Sequence, residues 1–189
     1  MDRELERQLI KKAQENAAAF EELYNHYLPR IYGFLLNRTG QKELAEDLTS
    51  EVFAKALANL GKYNDRGAPF AAWLFRIARN SLIDWSRKKK EILTDAVESY
   101  EPAPEHVSVG AEARLAQDER KALLRKTMEH LPEKYQTVLS LKFFEELSND
   151  EIAEIVGCQK NAVAVRVHRA LRLMRKHLVG SPEFLEINL

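Results

Sequence analysis

SNDEIAEIVGCQKNAVAVRVHRALRLMRKHL, residues 148–178, reads as two helices and the turn between them. Ser148 followed by Glu151 has the form of a capping box, ahead of the apolar Ile152, Ile155 and Val156. Gly157 supplies the stop, because glycine takes the left-handed conformation that ends a helix. The longer second helix carries Val163, Val167, Leu171, Met174 and Leu178. At about 100° per residue these five fall within an arc of roughly 80°. Arg166, Arg169, Arg172, Arg175 and Lys176 lie outside it. One stripe packs, and the other can meet phosphates and base edges in a major groove. An ordinary bundle helix would show the same apolar stripe. The absence of any acid from residue 157 to 180 favours the polyanion-binding reading.

The rest of the chain is helical by the same periodicity. Leu131-Pro132 starts a helix carried by Tyr135, Val138, Leu139 and Phe143. Another runs from about Glu112 to His130. Leu5, Leu9 and Ala13 predict a short opening helix, and Phe20, Leu23, Tyr24, Tyr27, Ile31, Phe34 and Leu35 a longer one. Pro29 should bend that second helix or remove one of its hydrogen bonds. Leu44, Leu48, Val52, Phe53, Ala56, Leu57 and Leu60 mark a third, and GKYNDRGAP (61–69) a loop. Phe70 to about Lys89 forms a fourth, apolar nearly all round the wheel, so it is buried on several sides or offers aromatics to a partner. Residues 91–111 lose periodicity among acids and prolines and read as a linker. With 7 Gly and 6 Pro in 189 residues, the chain has about half of the usual number of turn-forming residues. The fold class expected is all-α: two small helical domains, residues 1–90 and 112–179, around the linker.

Equal numbers of acids and bases, 29 each, hide strong segregation. Residues 66–90 hold seven bases and one acid, residues 91–119 eight acids and one base, and residues 157–180 six bases. Phosphate affinity follows local charge, so two polyanion-binding surfaces are expected. The single cysteine, Cys158, precludes an internal disulfide and reads as a small buried residue rather than a redox switch. The five histidines have no metal-ligand spacing, and no Gly-rich phosphate loop or nucleophile motif is present, so neither cofactor nor enzymatic activity is expected. No apolar run approaches a membrane span and the N-terminus does not read as a signal peptide, which predicts a cytoplasmic protein without stable membrane insertion.

AEDLTSEVFAKALANL (45–60), PFAAWLFRIARNSLIDWSRKKK (69–90) and LPEKYQTVLSLKFFEELSNDEIAEIVG with VHRALRLMRK (131–176), in this order, resemble the extracytoplasmic-function type of bacterial sigma factor in the sigma-70 family. The resemblance implies a transcription initiation factor, often of stress responses. Its first domain would dock on core RNA polymerase and melt the minus-ten promoter element, and its second would read the minus-thirty-five element. An anti-sigma protein is a further candidate partner. Asp47, Glu51 and Phe53 match the polymerase-gripping helix. Tyr63, Asn64, Asp65 and Arg66 match the loop that captures an unstacked base. Arg76, Arg79, Asn80 and Asp84 match the melting helix, whose basic end adds Arg87 and Lys88. Trp73 is expected in the core, and Asp84 either pairs with an arginine or touches DNA. The second helix of the helix-turn-helix supplies Lys160, Asn161, Ala162, Val165, Arg166, His168, Arg169 and Arg172. Asn161, Ala162, Ala164 and Val165 stand where the family commonly has Gly, Thr, a basic residue and Ser, which weakens any transfer of a particular promoter sequence. Val165 is either a thymine-methyl contact or a plain surface or packing valine. GSPEF (180–184) resembles a cloning scar, which makes residues 180–189 a tail. A helix-turn-helix regulator of another class would account for residues 131–178 and leave the first ninety unexplained.

Overall fold

The computed structural model describes residues 2–64, 69–95 and 127–179, and these are helical with no strand among them. They fall into two compact units. In the first, α1 (Arg3–Glu15), α2 (Phe20–Thr39), α3 (Lys42–Asn59) and α4 (Phe70–Asp95) enclose one core. Leu23, Ile31, Phe34 and Leu35 of α2 meet Val52 and Ala56 of α3 and Leu74, Phe75 and Ala78 of α4, all fully buried. Phe34 and Phe75 pack edge to face with ring centroids 5.5 Å apart.

Pro29 lies inside α2, which continues to Thr39. Proline leaves the carbonyl of Asn25 without its helical donor. Asn25 and Pro29 are both exposed, so water can serve that carbonyl. Gly40 ends α2 at φ 66°, and its N–H donates to the Leu36 carbonyl at 2.9 Å. In α1 the buried face is Leu9, Ile10 and Ala13, whereas Leu5, expected on it, is 49% exposed. The face also buries Glu6, whose carboxylate accepts a hydrogen bond from the Tyr27 hydroxyl of α2. Helix α4 runs to Asp95, past Lys89 and five residues into the stretch read as linker. The remainder of that stretch, the helix expected over 112–130 as far as residue 126, and the tail 180–189 lie outside the described residues.

The second unit holds α5 (Glu133–Leu139), α6 (Asn149–Val156) as far as Ala153, and α7 (Lys160–Val179). Met128, Leu131, Leu139, Ala170 and Met174 form a buried cluster with Tyr135, Phe144 and Leu173 at its edge. Directly after α5, Ser140–Phe144 winds as a π-helix. A π turn takes one residue more than an α turn. The spacing from Leu139 to Phe143 therefore no longer keeps one face: Leu141 is buried, and Phe143, expected in the core, is 55% exposed.

Candidate nucleic-acid interface

The frame of the second unit is set by the two predicted caps. The Ser148 N–H donates to Glu151 Oε2 at 2.8 Å, and the Glu151 N–H donates to Ser148 Oγ at 3.2 Å, a reciprocal capping box. Gly157 has φ 69°, and the following Cys158 N–H returns to the Ala153 carbonyl at 3.0 Å. Cys158 itself is half-buried.

From this turn α7 presents Lys160, Asn161, Val165, His168, Arg169 and Arg172 to solvent, with Ala162 and Arg166 half-buried. The packed stripe is not the predicted one. Val163, Ala170 and Met174 are buried, Leu171 is 43% exposed, and Val167 and Leu178 are only half-buried. The inward face is thus turned by about 40° toward Ala170 and Leu173. Ala170 is fully buried in the cluster with Leu173 packed at its edge, while Leu171 faces out. Lys160 is an ion-pair partner as well as a candidate phosphate contact, with Nζ 2.6 Å from Asp150 Oδ2 of α6. Val165, 48% exposed, stands among the basic residues of the outward face.

In the first unit, Arg76, Asn80, Arg87 and Lys88 line the outer face of α4, with Arg79 half-buried beside them. Their spacing of four, seven and one keeps them within about one side of the helix. Arg79 Nη1 donates to Asn80 Oδ1 at 3.4 Å, and Asp84 Oδ1 lies 3.7 Å from Arg87 Nη2, which is the pairing alternative for Asp84. Trp85 is half-buried with the Lys89 ammonium 5.1 Å from its ring. Tyr63, half-buried, sets its ring 5.3 Å from Phe70 and 5.1 Å from Trp73, so Trp73 closes the core at the start of α4. Asn64 follows, exposed. Asp65 and Arg66 lie outside the described residues.

On α3, Asp47 and Glu51 are exposed. Glu51 is also tied locally: it pairs with Lys55 and accepts from Ser81 Oγ of α4 at 3.3 Å, while Lys55 Nζ donates to the same hydroxyl at 3.0 Å. Phe53 requires a correction. It is only 5% exposed, with its ring 4.6 Å from Tyr24 and 6.3 Å from Phe20, so it holds α3 in the core and offers little surface to a partner. Gln14, which sequence reasoning missed, donates to two carbonyls at the foot of the 61–69 loop. Those partners lie 46 and 49 residues away, so no local pattern marks it. Among the described residues no three His, Cys, Asp or Glu side chains gather as metal ligands, and no helix is long and apolar enough to cross a membrane.

Comparison with known proteins places both units. Residues 23–92 match sigma-70 region 2, and residues 121–174 match sigma-70 region 4. The extracytoplasmic-function RNA polymerase sigma factor SigW of Bacillus subtilis is 34% identical over 176 residues, covering 89% of this chain and 92% of that protein. The RNA polymerase sigma factor YlaC of the same organism is 31% identical over 165 residues, covering 87% and 95%. In fold, the chain is similar to the sigma factor RpoE of Bartonella quintana, solved in complex with the anti-sigma factor NepR. The TM-score is 0.70 at 23% identity, covering 86% of this chain and 98% of that one.

Proposed function

Because this chain belongs to the extracytoplasmic-function RNA polymerase sigma factors, we propose a division of its work between residues 1–90 and 112–179. It is a transcription initiation factor that binds core RNA polymerase and directs it to promoters. Helix α7 enters the major groove of the minus-thirty-five element: Val165, Arg169 and Arg172 meet base edges or phosphates, with Lys160, Asn161, Ala162, Arg166 and His168 around them. The basic face of α4 takes the melted minus-ten strand, and Tyr63, Asn64 and the residues after them take an unstacked base. Phosphodiester chemistry stays with the core enzyme, and the chain works in the cytoplasm, where the polymerase and promoter are. An anti-sigma protein is a further partner of the chain, a reading supported by the complex of the Bartonella protein with the anti-sigma factor NepR.

The observation that carries this reading is the outward face of α7, free of acids along the whole helix and held by a capped helix-turn-helix. Asp47 carries its polymerase-docking half, being an exposed acid on α3, whereas Glu51 one turn on is paired with Lys55. Asp47→Lys should weaken binding to core polymerase about tenfold, since reversing an interface charge replaces attraction with repulsion. Equilibrium titration of labelled core enzyme measures it, with circular dichroism showing helix content preserved. Unaltered affinity would remove α3 from the docking surface.

A further inference from the structure

The loop that leaves α3 is held at its foot by a side chain from α1. Gln14 stands in the last turn of α1, and its amide donates to the Leu60 carbonyl at 2.9 Å and to the Tyr63 carbonyl at 2.9 Å. Leu60 is the C-cap of α3, and its carbonyl also accepts the Tyr63 N–H at 3.0 Å. Tyr63 is the first extended residue of the loop, at φ −66° and ψ 130°. One amide therefore spans the whole turn from helix end to loop start. On the other side the Tyr63 ring rests on Phe70 and Trp73. Backbone and side chain of Tyr63 are fixed by different helices.

α1 is itself firmly seated. Leu9, Ile10 and Ala13 are buried, and Glu6 accepts from the Tyr27 hydroxyl. The helix precedes the residues that match sigma-70 region 2. A loop that receives an unstacked base gains affinity and discrimination when its shape exists beforehand, because ordering it on binding costs free energy.

We propose that Gln14 is a positioning residue for reading the unstacked minus-ten base: it fixes the backbone at Tyr63 and thereby the presentation of Asn64. This rests on the reading of Tyr63 and Asn64 as part of the base-capturing loop. Two substitutions at this exposed position isolate the hydrogen bonds. Gln14→Met keeps the length and removes both donors. Gln14→Lys keeps donors and places a cation by the carbonyls of a helix C-terminus, where it is favoured.

The probe is a fluorescent single-stranded oligonucleotide bearing the non-template minus-ten sequence of a promoter that this factor opens, with single-base replacements. It is titrated into the full chain bound to core polymerase. Gln14→Met should reduce the preference for the native base at one position by about fivefold or more, the worth of two hydrogen bonds. Gln14→Lys should restore the preference, and affinity for duplex minus-thirty-five DNA should stay constant. A uniform loss across all oligonucleotides, or a preference undiminished in Gln14→Met, would reduce Gln14 to a helix cap and overturn the proposal. Asn64→Ala separates the two levels. If it leaves base preference intact, the loop reading itself fails; if it abolishes the preference while Gln14→Met does not, only the role of Gln14 fails.

Discussion

Val165 is the side chain on which the proposed reading of DNA bears most. It is 48% exposed on α7, on the side of Arg169 and Arg172 and away from buried Val163, Ala170 and Met174. Packing within its own unit therefore does not account for it. A branched apolar side chain on a helix entering the major groove suits the thymine methyl, the one apolar group displayed there. Val165→Ser should cost about 1 kcal/mol or more on sites carrying the contacted thymine. Substituting uracil for that thymine should erase the difference between valine and serine, as measured by fluorescence anisotropy. Equal losses on thymine and uracil sites would return Val165 to a plain surface residue. Lys160 opens the same helix. Its 2.6 Å pair with Asp150 is exposed at both ends, so it adds little stability and yields easily to a phosphate.

At the scale of elements, α1 and α2 are joined by a pair whose effect depends on pH. Burial, then the hydrogen bond to Glu6 and its negative charge, push the Tyr27 phenol well above its ordinary range. The unfolded chain loses this proton near pH ~10, while the folded chain holds it longer. The contribution to stability is therefore complete below pH ~10 and is lost as pH rises beyond it. Tyr27→Phe should flatten that alkaline decline in urea unfolding. At pH 7 it should cost about 1–3 kcal/mol, because a buried carboxylate loses a donor. A variant as stable as the parent at pH 7, with the same decline, would show that the pair does not anchor α1. Elements of this kind were partly legible in the sequence. The capping box at Ser148 and Glu151 and the stop at Gly157 are local, so reading the residues in order finds them. The face of α7 was not fully legible, since Leu171 and Ala170 compete for the interior and the choice belongs to the helix packed against them. Phe143 went astray for a related reason: the π turn after Leu139 shifts the period without any glycine or proline to announce it. Phe53 combined both lessons. Its helix matched a docking segment, but burial against Tyr24 and Phe20 is set by α2, thirty residues earlier in the chain.

Across the whole molecule, the arrangement of charge explains more than its sum. A net charge of zero would predict indifference to DNA, yet the bases gather on α4 and α7 and the acids between them. Each basic face belongs to a separate compact unit with its own core, which suits two readers addressing two promoter elements. Binding by such faces releases counterions, so salt should weaken each contact with DNA steeply. Opening of the duplex is assigned to the chain and core polymerase together. The most direct test is permanganate footprinting of unpaired thymines on genomic promoters, with core polymerase alone, the chain alone, and both. The account predicts reactive thymines over the minus-ten region only when both are present, in promoters that share a second common element upstream where α7 binds. Reactivity that is the same with and without the chain, or promoters opened by the pair that share no sequence at either position, would contradict it.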